Sequence, residues 1–158
     1  MEAWAVARAL HVLGVIFWIG GVAMVTTVLL PAVRDFTSEE DRLAFFDRVE
    51  RRFARQSRYS TLLVGATGFY MVHALDLWSR FRDPSYWWMH AMVLVWAIFT
   101  LMLFVAEPLF LHGMLERRAR RDAAGTFRFV IALHRVLLAL SLVTAAGAVA
   151  GAHGLLLF

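Results

Sequence analysis

The sequence predicts an all-α integral membrane protein, a four-helix up-down-up-down bundle with helical extensions on the cytoplasmic side. Of the 158 residues, 61% are hydrophobic and 18% are charged, which is far from the balance of a soluble domain. Four apolar runs carry this imbalance. At about 1.5 Å per residue each can cross a hydrocarbon core about 30 Å thick, the second with help from its flanks. Helices are expected because backbone groups in lipid must bond within their own segment, and the alternating pattern of a membrane β-barrel is missing.

The predicted spans form one domain that covers residues 1–158. They run over residues 4–33, 57–77, 85–112 and 127–157. Short connections make successive helices antiparallel neighbours, which places helices 1 and 3, and helices 2 and 4, on the diagonals. A capping residue at Thr37 or Ser38 and apolar residues at helical spacing extend the second helix back into the first loop. The segment after the third span extends that helix until Gly125.

Arginine predicts the orientation in the membrane. All sixteen basic residues are arginine, with seven between residues 34 and 58 and four between residues 117 and 121. By the positive-inside rule both loops are cytoplasmic, which places both termini on the outer side. Lipid headgroups account for these charges, so the lipid bilayer is an expected partner and nucleic acid is not.

Small residues predict close packing of the last helix. The tail TAAGAVAGAHG places Gly147 and Gly151 four residues apart, on one helix face. Such a face allows two helices to approach closely. We expect it to pack within the bundle, and a homodimer face is the alternative.

Histidine must carry any metal chemistry, because the chain has no cysteine for disulfides, thiolate sites or covalent c-type haem attachment. Each predicted helix places one histidine in the outer third of the bundle: His11, His73, His90 and His153. Two others, His112 and His134, fall on the cytoplasmic side. Histidines at helix ends often meet only headgroups, but His11 lies about 10 Å below the outer end of helix 1, where a polar group needs a partner.

A b-type haem between His11 and His90 is the cofactor that this arrangement predicts. A haem with two imidazole ligands needs one on each face of the iron, and these histidines lie on diagonal helices at similar predicted depth. Gly14 and Gly21 lie along the His11 face, where they would let a flat ring approach the backbone. Trp18 would wall the same pocket.

The haem propionates would need cations near the outer surface. Arg8 is the expected partner, with Arg80 and Arg82 as secondary candidates. His73 and His153, the other diagonal pair, form an alternative ligand set.

Copper is the competing metal, since imidazole suits it well. Met89 and Met92 are the methionines near the outer histidines, and no Met-x-x-Met ladder appears. Methionine in an apolar helix is usually packing material, which favours haem. A hydrogen bond to another helix would also satisfy His11.

A second group of polar residues is predicted on the cytoplasmic side. Glu107 precedes Pro108 in helix 3, and His112, His134 and Arg135 should lie at comparable depth. Arg135 is the expected partner of the carboxylate, in a salt bridge beside a bent helix. The alternative hypotheses are a catalytic Glu107 in a proton path, a quinone site, or a second haem held by His134.

Two motifs resemble those of a known family. They are His11-x6-Trp18-x-Gly20-Gly21 and Trp87-Trp88-Met89-His90-Ala91. Both are similar to motifs of small bacterial membrane proteins related to the copper-resistance protein D (CopD) domain and to HemJ-type protoporphyrinogen IX oxidases. The resemblance implies a four-helix b-haem protein of the bacterial inner membrane, with both termini periplasmic and His11 and His90 at the positions of the family's histidines.

The chain departs from the HemJ-type pattern in helix 3. That pattern continues His-Ala-Lys, whereas Met92 stands at the lysine position here. His134 and Arg135 are a second departure. If the lysine supports porphyrinogen oxidation, this chain should lack that activity.

These observations predict a haem b protein of the inner membrane that transfers electrons or acts as a haem-dependent oxidoreductase. It would bind one haem, or two if His134 holds a second, and its partner would be a quinone or a periplasmic redox protein. The alternatives are a copper-binding or copper-transport protein, a protoporphyrinogen oxidase-like enzyme, and a structural subunit with interfacial histidines.

Overall fold

The computed structural model describes residues 3–34 and 38–155, without the side chains at positions 39, 40, 43, 47 and 112. These residues are helical apart from short connections, and no strand occurs among them. The helices are α1 (Ala3–Arg34), α2 (Glu39–Ala74), α3 (Pro84–Leu111), α4 (His112–Ala119) and α5 (Ala123–Ala152). The all-α prediction is therefore confirmed for the described part of the chain.

Polar caps set two of the helix starts. The Ser38 hydroxyl accepts the backbone N–H of Asp41 at 3.1 Å, as the sequence predicts, while the alternative cap Thr37 lies outside the described residues. The prediction that a helix continues to Gly125 is wrong. The Asp122 carboxylate accepts the Gly125 N–H at 2.8 Å and so begins a new helix two residues before that glycine.

The short loop between α2 and α3 is also held by a carboxylate. Asp83 accepts hydrogen bonds from the hydroxyl of Ser85 at 2.7 Å and from its backbone N–H at 2.9 Å. These bonds favour the charged carboxylate, so they hold the pKa of Asp83 below its usual value. The loop contains a short 3-10 turn, Trp78–Arg82, and a second one, Pro84–Tyr86, forms the first turn of α3.

Three described helices, α1, α3 and α5, are long and apolar enough to cross a membrane. The second predicted span, residues 57–77, lies mostly in α2, which does not belong to this set. The reason is its composition, since the span contains Arg58 and His73 as well as four buried hydroxyl side chains: Ser57, Ser60, Thr61 and Thr67. Apolar side chains such as Tyr59 and Leu62 are exposed.

Close glycine contacts hold α1 against α2. A Cβ at Gly14 would come within 2.8 Å of the Val64 side chain, and a Cβ at Gly21 would overlap the Phe53 ring. The numbering rises along α1 as it falls along α2, so the two helices are antiparallel. The absence of side chains at these glycines therefore lets the helix backbones approach.

Glycines also allow close packing between α3 and α5. Gly147 faces the ring of Trp87, and Gly151 faces the ring of Trp88. Gly147 and Gly151 thus pack inside the fold, as expected. The central apolar cluster includes residues from all four long helices: Trp18, Val22, Val64, Val95, Phe99, Leu137 and Leu138.

A π-helical stretch in α3 brings Arg58 of α2 into the apolar region. Residues Met102–Leu111 have π-helical hydrogen bonding around Pro108. In that register the carbonyl of Leu103 should accept from residue 108, but proline has no N–H. The Arg58 side chain fills the place: its Nε donates to the Leu103 oxygen at 3.0 Å, and its Nη2 pairs with the Glu107 carboxylate. One guanidinium therefore satisfies both a free carbonyl and a buried acid.

We predict that Arg58→Ala lowers the free energy of unfolding by about 2 to 3 kcal/mol. The change removes a hydrogen bond and the partner of a buried carboxylate, and the Arg58 side chain is 34% exposed, which reduces the loss below that of a fully buried pair. Circular dichroism during denaturation in mixed micelles measures it. Arg55→Ala, an exposed change one turn away, is the control.

Pro108→Ala tests whether the missing N–H of this proline is the reason that Arg58 bonds the Leu103 carbonyl. It restores an N–H for the Leu103 carbonyl, so Arg58→Ala should cost about 1 kcal/mol less in the Pro108→Ala background. Equal losses in both backgrounds would show that the guanidinium does not serve that carbonyl.

Candidate functional site

His11 lies on the buried stripe of α1 and is held by α2. Its Nδ1 lies 3.0 Å from the Val64 carbonyl oxygen and 3.1 Å from the Thr67 hydroxyl. The Thr67 hydroxyl already donates to the Leu63 carbonyl at 2.6 Å, so it accepts from His11. Gly68 completes the seat, since a Cβ there would come within 3.1 Å of the imidazole Cε1. The interhelical hydrogen bond that the sequence left open as an alternative is therefore present.

These contacts fix the tautomer of His11. A carbonyl oxygen can only accept, so Nδ1 carries the proton, and in the neutral ring Nε2 carries a lone pair. No partner for Nε2 occurs among the described residues. Metal-binding histidines are commonly held in this way, with one nitrogen donating to the protein and the other left for the metal.

His90 differs from His11 in its exposure and in the ring nitrogen that bonds the protein. It is exposed, and its Nε2 donates to the Phe81 carbonyl oxygen at 3.0 Å in the loop before α3. Its ring also packs edge-on against the Phe81 ring, with 5.3 Å between centroids. The buried positions at the start of α3 are the neighbours Trp88 and Met89. His90 is thus turned to the loop.

The predicted similarity in depth of His11 and His90 is not found. Trp96 of α3 lies level with His11, because its Nε1 donates to the Thr61 carbonyl at 3.0 Å and its ring contacts Phe69. His90 precedes Trp96 by six residues, which is about 9 Å along the helix axis. The structure therefore does not bring the two imidazoles to one level.

The space that the sequence assigned to a flat ring is filled by protein. The glycines at 14 and 21 face Val64 and Phe53 of α2. Trp18 is 3% exposed and packs edge-to-face on Phe99, with ring centroids 4.9 Å apart. These residues build the helix contacts of the core, and the expectation of an open slot beside His11 is wrong.

The other outer candidates lie on the surface. Arg8 is exposed, with its guanidinium 4.9 Å from the centre of the Trp4 ring, and Arg80 lies in the same way over Tyr86. His73 is exposed in the last turn of α2. His153, just beyond α5, is also exposed, and its Nδ1 donates to the Val149 carbonyl one turn earlier.

The cytoplasmic-side candidates are arranged differently from the prediction. Glu107 is 8% exposed and pairs with Arg58, an arginine that the sequence placed only among the loop charges. Arg135 instead lines a separate cleft of about 570 Å³ with three further arginines: Arg34, Arg42 and Arg128. The side chain of His112 lies outside the described residues.

An apolar cavity of about 310 Å³ is lined by Ser57, the residue before Arg58, and by Leu103, whose carbonyl Arg58 bonds. We call it the α2–α5 cavity. Its apolar walls include the four rings of Phe46, Phe53, Phe99 and Phe129. Its polar lining comprises Glu50, Ser57, Glu116, Thr126 and His134. The sequence singled out His134 but not Ser57, because a serine in a helix carries no signal until the helix packing shows that it is buried.

No family model matches the chain, and neither a curated protein nor a solved structure matches it. Among the residues described, no three His, Asp or Glu side chains gather closely enough to hold a metal ion. A haem with imidazole ligands needs only two.

The hydrogen bonds predict opposite tautomers for two histidines. In ¹⁵N-histidine-labelled protein at about pH 8, where imidazole is neutral, His11 should carry its proton on Nδ1 and His90 on Nε2. His11→Gln and His90→Gln assign the two signals in the nitrogen NMR spectrum. A proton on Nε2 of His11 would contradict the seat described above.

Proposed function

We propose that this chain is a four-helix up-down-up-down bundle of the bacterial inner membrane that binds b-type haem through His11. The observation that carries the proposal is the state of that imidazole. Its Nδ1 proton is donated to Val64 of another helix, while Nε2 has no partner among the described side chains and backbone groups. A neutral imidazole held so is suited to serve as an axial ligand.

Membrane insertion of all four long helices is part of this proposal. Three are apolar enough to span by themselves. The fourth, α2, would span because Arg58 and Thr67 bond neighbouring helices inside the protein, while apolar side chains such as Tyr59 and Leu62 face outward. The arginine cleft lies at the ends of α1 and α5 opposite to His11, which supports a cytoplasmic position for that end.

His11 is suited to be one axial ligand of the haem. The second ligand is to be identified by the variants below. For His90 to serve as the second ligand, its hydrogen bond to the loop Trp78–Arg82 must break, since its Nε2 donates to the Phe81 carbonyl. His73 and His153 are the other exposed imidazoles at the same end. A bound haem would supply one-electron redox chemistry, and the protein would tune it through ligation and burial.

One observation favours haem over copper. Met89 is 6% exposed and packs in the core, so it does not support a copper site with the outer histidines. The proposed partners are a membrane quinone and a periplasmic redox protein. A homodimer is a separate proposal. Its interface would not be built on Gly147 and Gly151, because both glycines pack against tryptophan rings of the same chain.

We predict that purified wild-type protein contains haem b and that His11→Ala loses most of it, at least tenfold per chain. The pyridine haemochromogen spectrum measures haem content. His134→Ala, in the cytoplasmic half, should retain the haem if only one is bound. Circular dichroism confirms that each variant is folded.

The same measurement on His90→Ala, His73→Ala and His153→Ala identifies the second ligand by the variant that loses haem. Full haem content in His11→Ala would refute the proposal. Stoichiometric copper without porphyrin would favour the copper-binding alternative.

A further inference from the structure

The α2–α5 cavity has the size and lining of a small-molecule site. Its volume of about 310 Å³ lies at the lower end of the range for ligand pockets, and aromatic side chains form much of its wall. Such rings favour a flat ligand, because aromatic pairs gain stability beyond the burial of their area. Leu115 and Ala119 of α4 also line the cavity.

Ser57 supplies a hydroxyl that the protein leaves without a partner. The residue is 2% exposed, and its Oγ makes no hydrogen bond within the described part of the chain. Two other buried hydroxyls of α2 are satisfied: Ser60 donates to the Gln56 carbonyl at 3.3 Å, and Thr67 donates to Leu63. The Thr61 hydroxyl also has no partner among the described residues, but Thr61 does not line the cavity, whereas Ser57 does. Because a buried polar group without a partner is costly, the Ser57 hydroxyl points to a ligand that bonds it.

His134 supplies an acceptor to the same cavity. Its Nδ1 donates to the Val130 carbonyl at 2.9 Å, one turn earlier in α5, so Nε2 of the neutral ring carries a lone pair. The Phe46 ring packs edge-on against the imidazole and limits its rotation, with 5.7 Å between the ring centres. The cavity therefore offers a hydroxyl from α2 and a fixed acceptor from α5.

The lining favours a neutral ligand. It includes Glu50 and Glu116, and no arginine or lysine lines the cavity among the described residues. A fatty acid or anionic lipid headgroup would find no cation in this lining. A neutral ligand with hydroxyl groups satisfies both Ser57 and His134 without adding charge.

We propose that the α2–α5 cavity binds the headgroup of a quinol. One quinol hydroxyl would donate to Nε2 of His134, the other would bond the Ser57 hydroxyl, and the ring would pack against the phenylalanines. The inference rests on the proposed membrane insertion, because a quinol reaches the cavity through lipid. It does not rest on haem, since none of these contacts involves His11.

Binding of reduced decylubiquinone to the protein in nanodiscs tests the proposal, with calorimetry as the readout. The control ligand is the same molecule with both hydroxyls methylated, which keeps the ring and tail but cannot donate. We expect saturable binding of the quinol and at least tenfold weaker binding of the dimethyl ether. Equal affinities would show that the cavity recognises only apolar bulk and would overturn the proposal.

Two conservative variants locate the site. Ser57→Ala and His134→Phe should each weaken quinol binding roughly fivefold to tenfold, the loss expected for one buried hydrogen bond. Ser60→Ala and His153→Phe are matched controls outside the cavity lining and should leave binding unchanged. If Ser57→Ala and His134→Phe bind as the wild type does, the cavity is not the quinol site.

A third variant tests the cavity by volume. Ala54 is buried in the lining, and Ala54→Leu would place a larger side chain in the space of the ring. It should abolish binding while the thermal midpoint shows that the protein remains folded. A quinol that still binds to folded Ala54→Leu protein would overturn the assignment. Failure of the chain to enter nanodiscs would refute membrane insertion, and binding without haem would leave the quinol site standing.

Discussion

The bond between Arg58 and α3 is the constraint on which the half of the bundle around Pro108 depends. Pro108 takes an N–H away from α3 and shifts the helix into π-helical bonding, which leaves the Leu103 carbonyl without its usual donor. Arg58 supplies that donor and at the same time pairs with Glu107. A charged side chain is tolerated in the apolar region because both of its partners belong to the same disrupted turn. The π-helical stretch also widens α3 beside the cavity, whose wall includes Met102 and Leu103.

The helix that carries Arg58 also supplies partners to both candidate sites. Towards its C-terminal end, Val64 and Thr67 hold the His11 ring, and near its middle, Ser57 lines the cavity. Ten residues separate Ser57 from Thr67, which is about 15 Å along the helix axis. The Thr67 hydroxyl accepts from the neighbouring helix, whereas the Ser57 hydroxyl has no partner among the described residues. Buried polar groups of this kind indicate function, since they are costly without partners.

The sequence predicted the helices well and the contacts between side chains poorly. Length and hydropathy suffice for α1, α3 and α5, and a capping serine suffices for the start of α2, because these are local properties. The partner of Glu107 is not local. Arg135 was the partner expected from the sequence, whereas Arg58 was counted only among the loop charges. Only the rotation of each helix about its axis decides that Arg58 faces α3 while Arg135 faces the arginine cleft.

The relative position of His11 and His90 is also not a local property of the sequence. His11 was rightly singled out as a buried polar group, but its depth relative to His90 depends on the register between α2 and α3, which Trp96 sets by bonding the Thr61 carbonyl. The central claim is that His11 holds a haem, and native mass spectrometry of the detergent-solubilised protein tests it most directly. The account predicts a wild-type mass equal to the chain plus haem b and a bare chain for His11→Ala. A bare wild-type chain, or one carrying only copper, would contradict it.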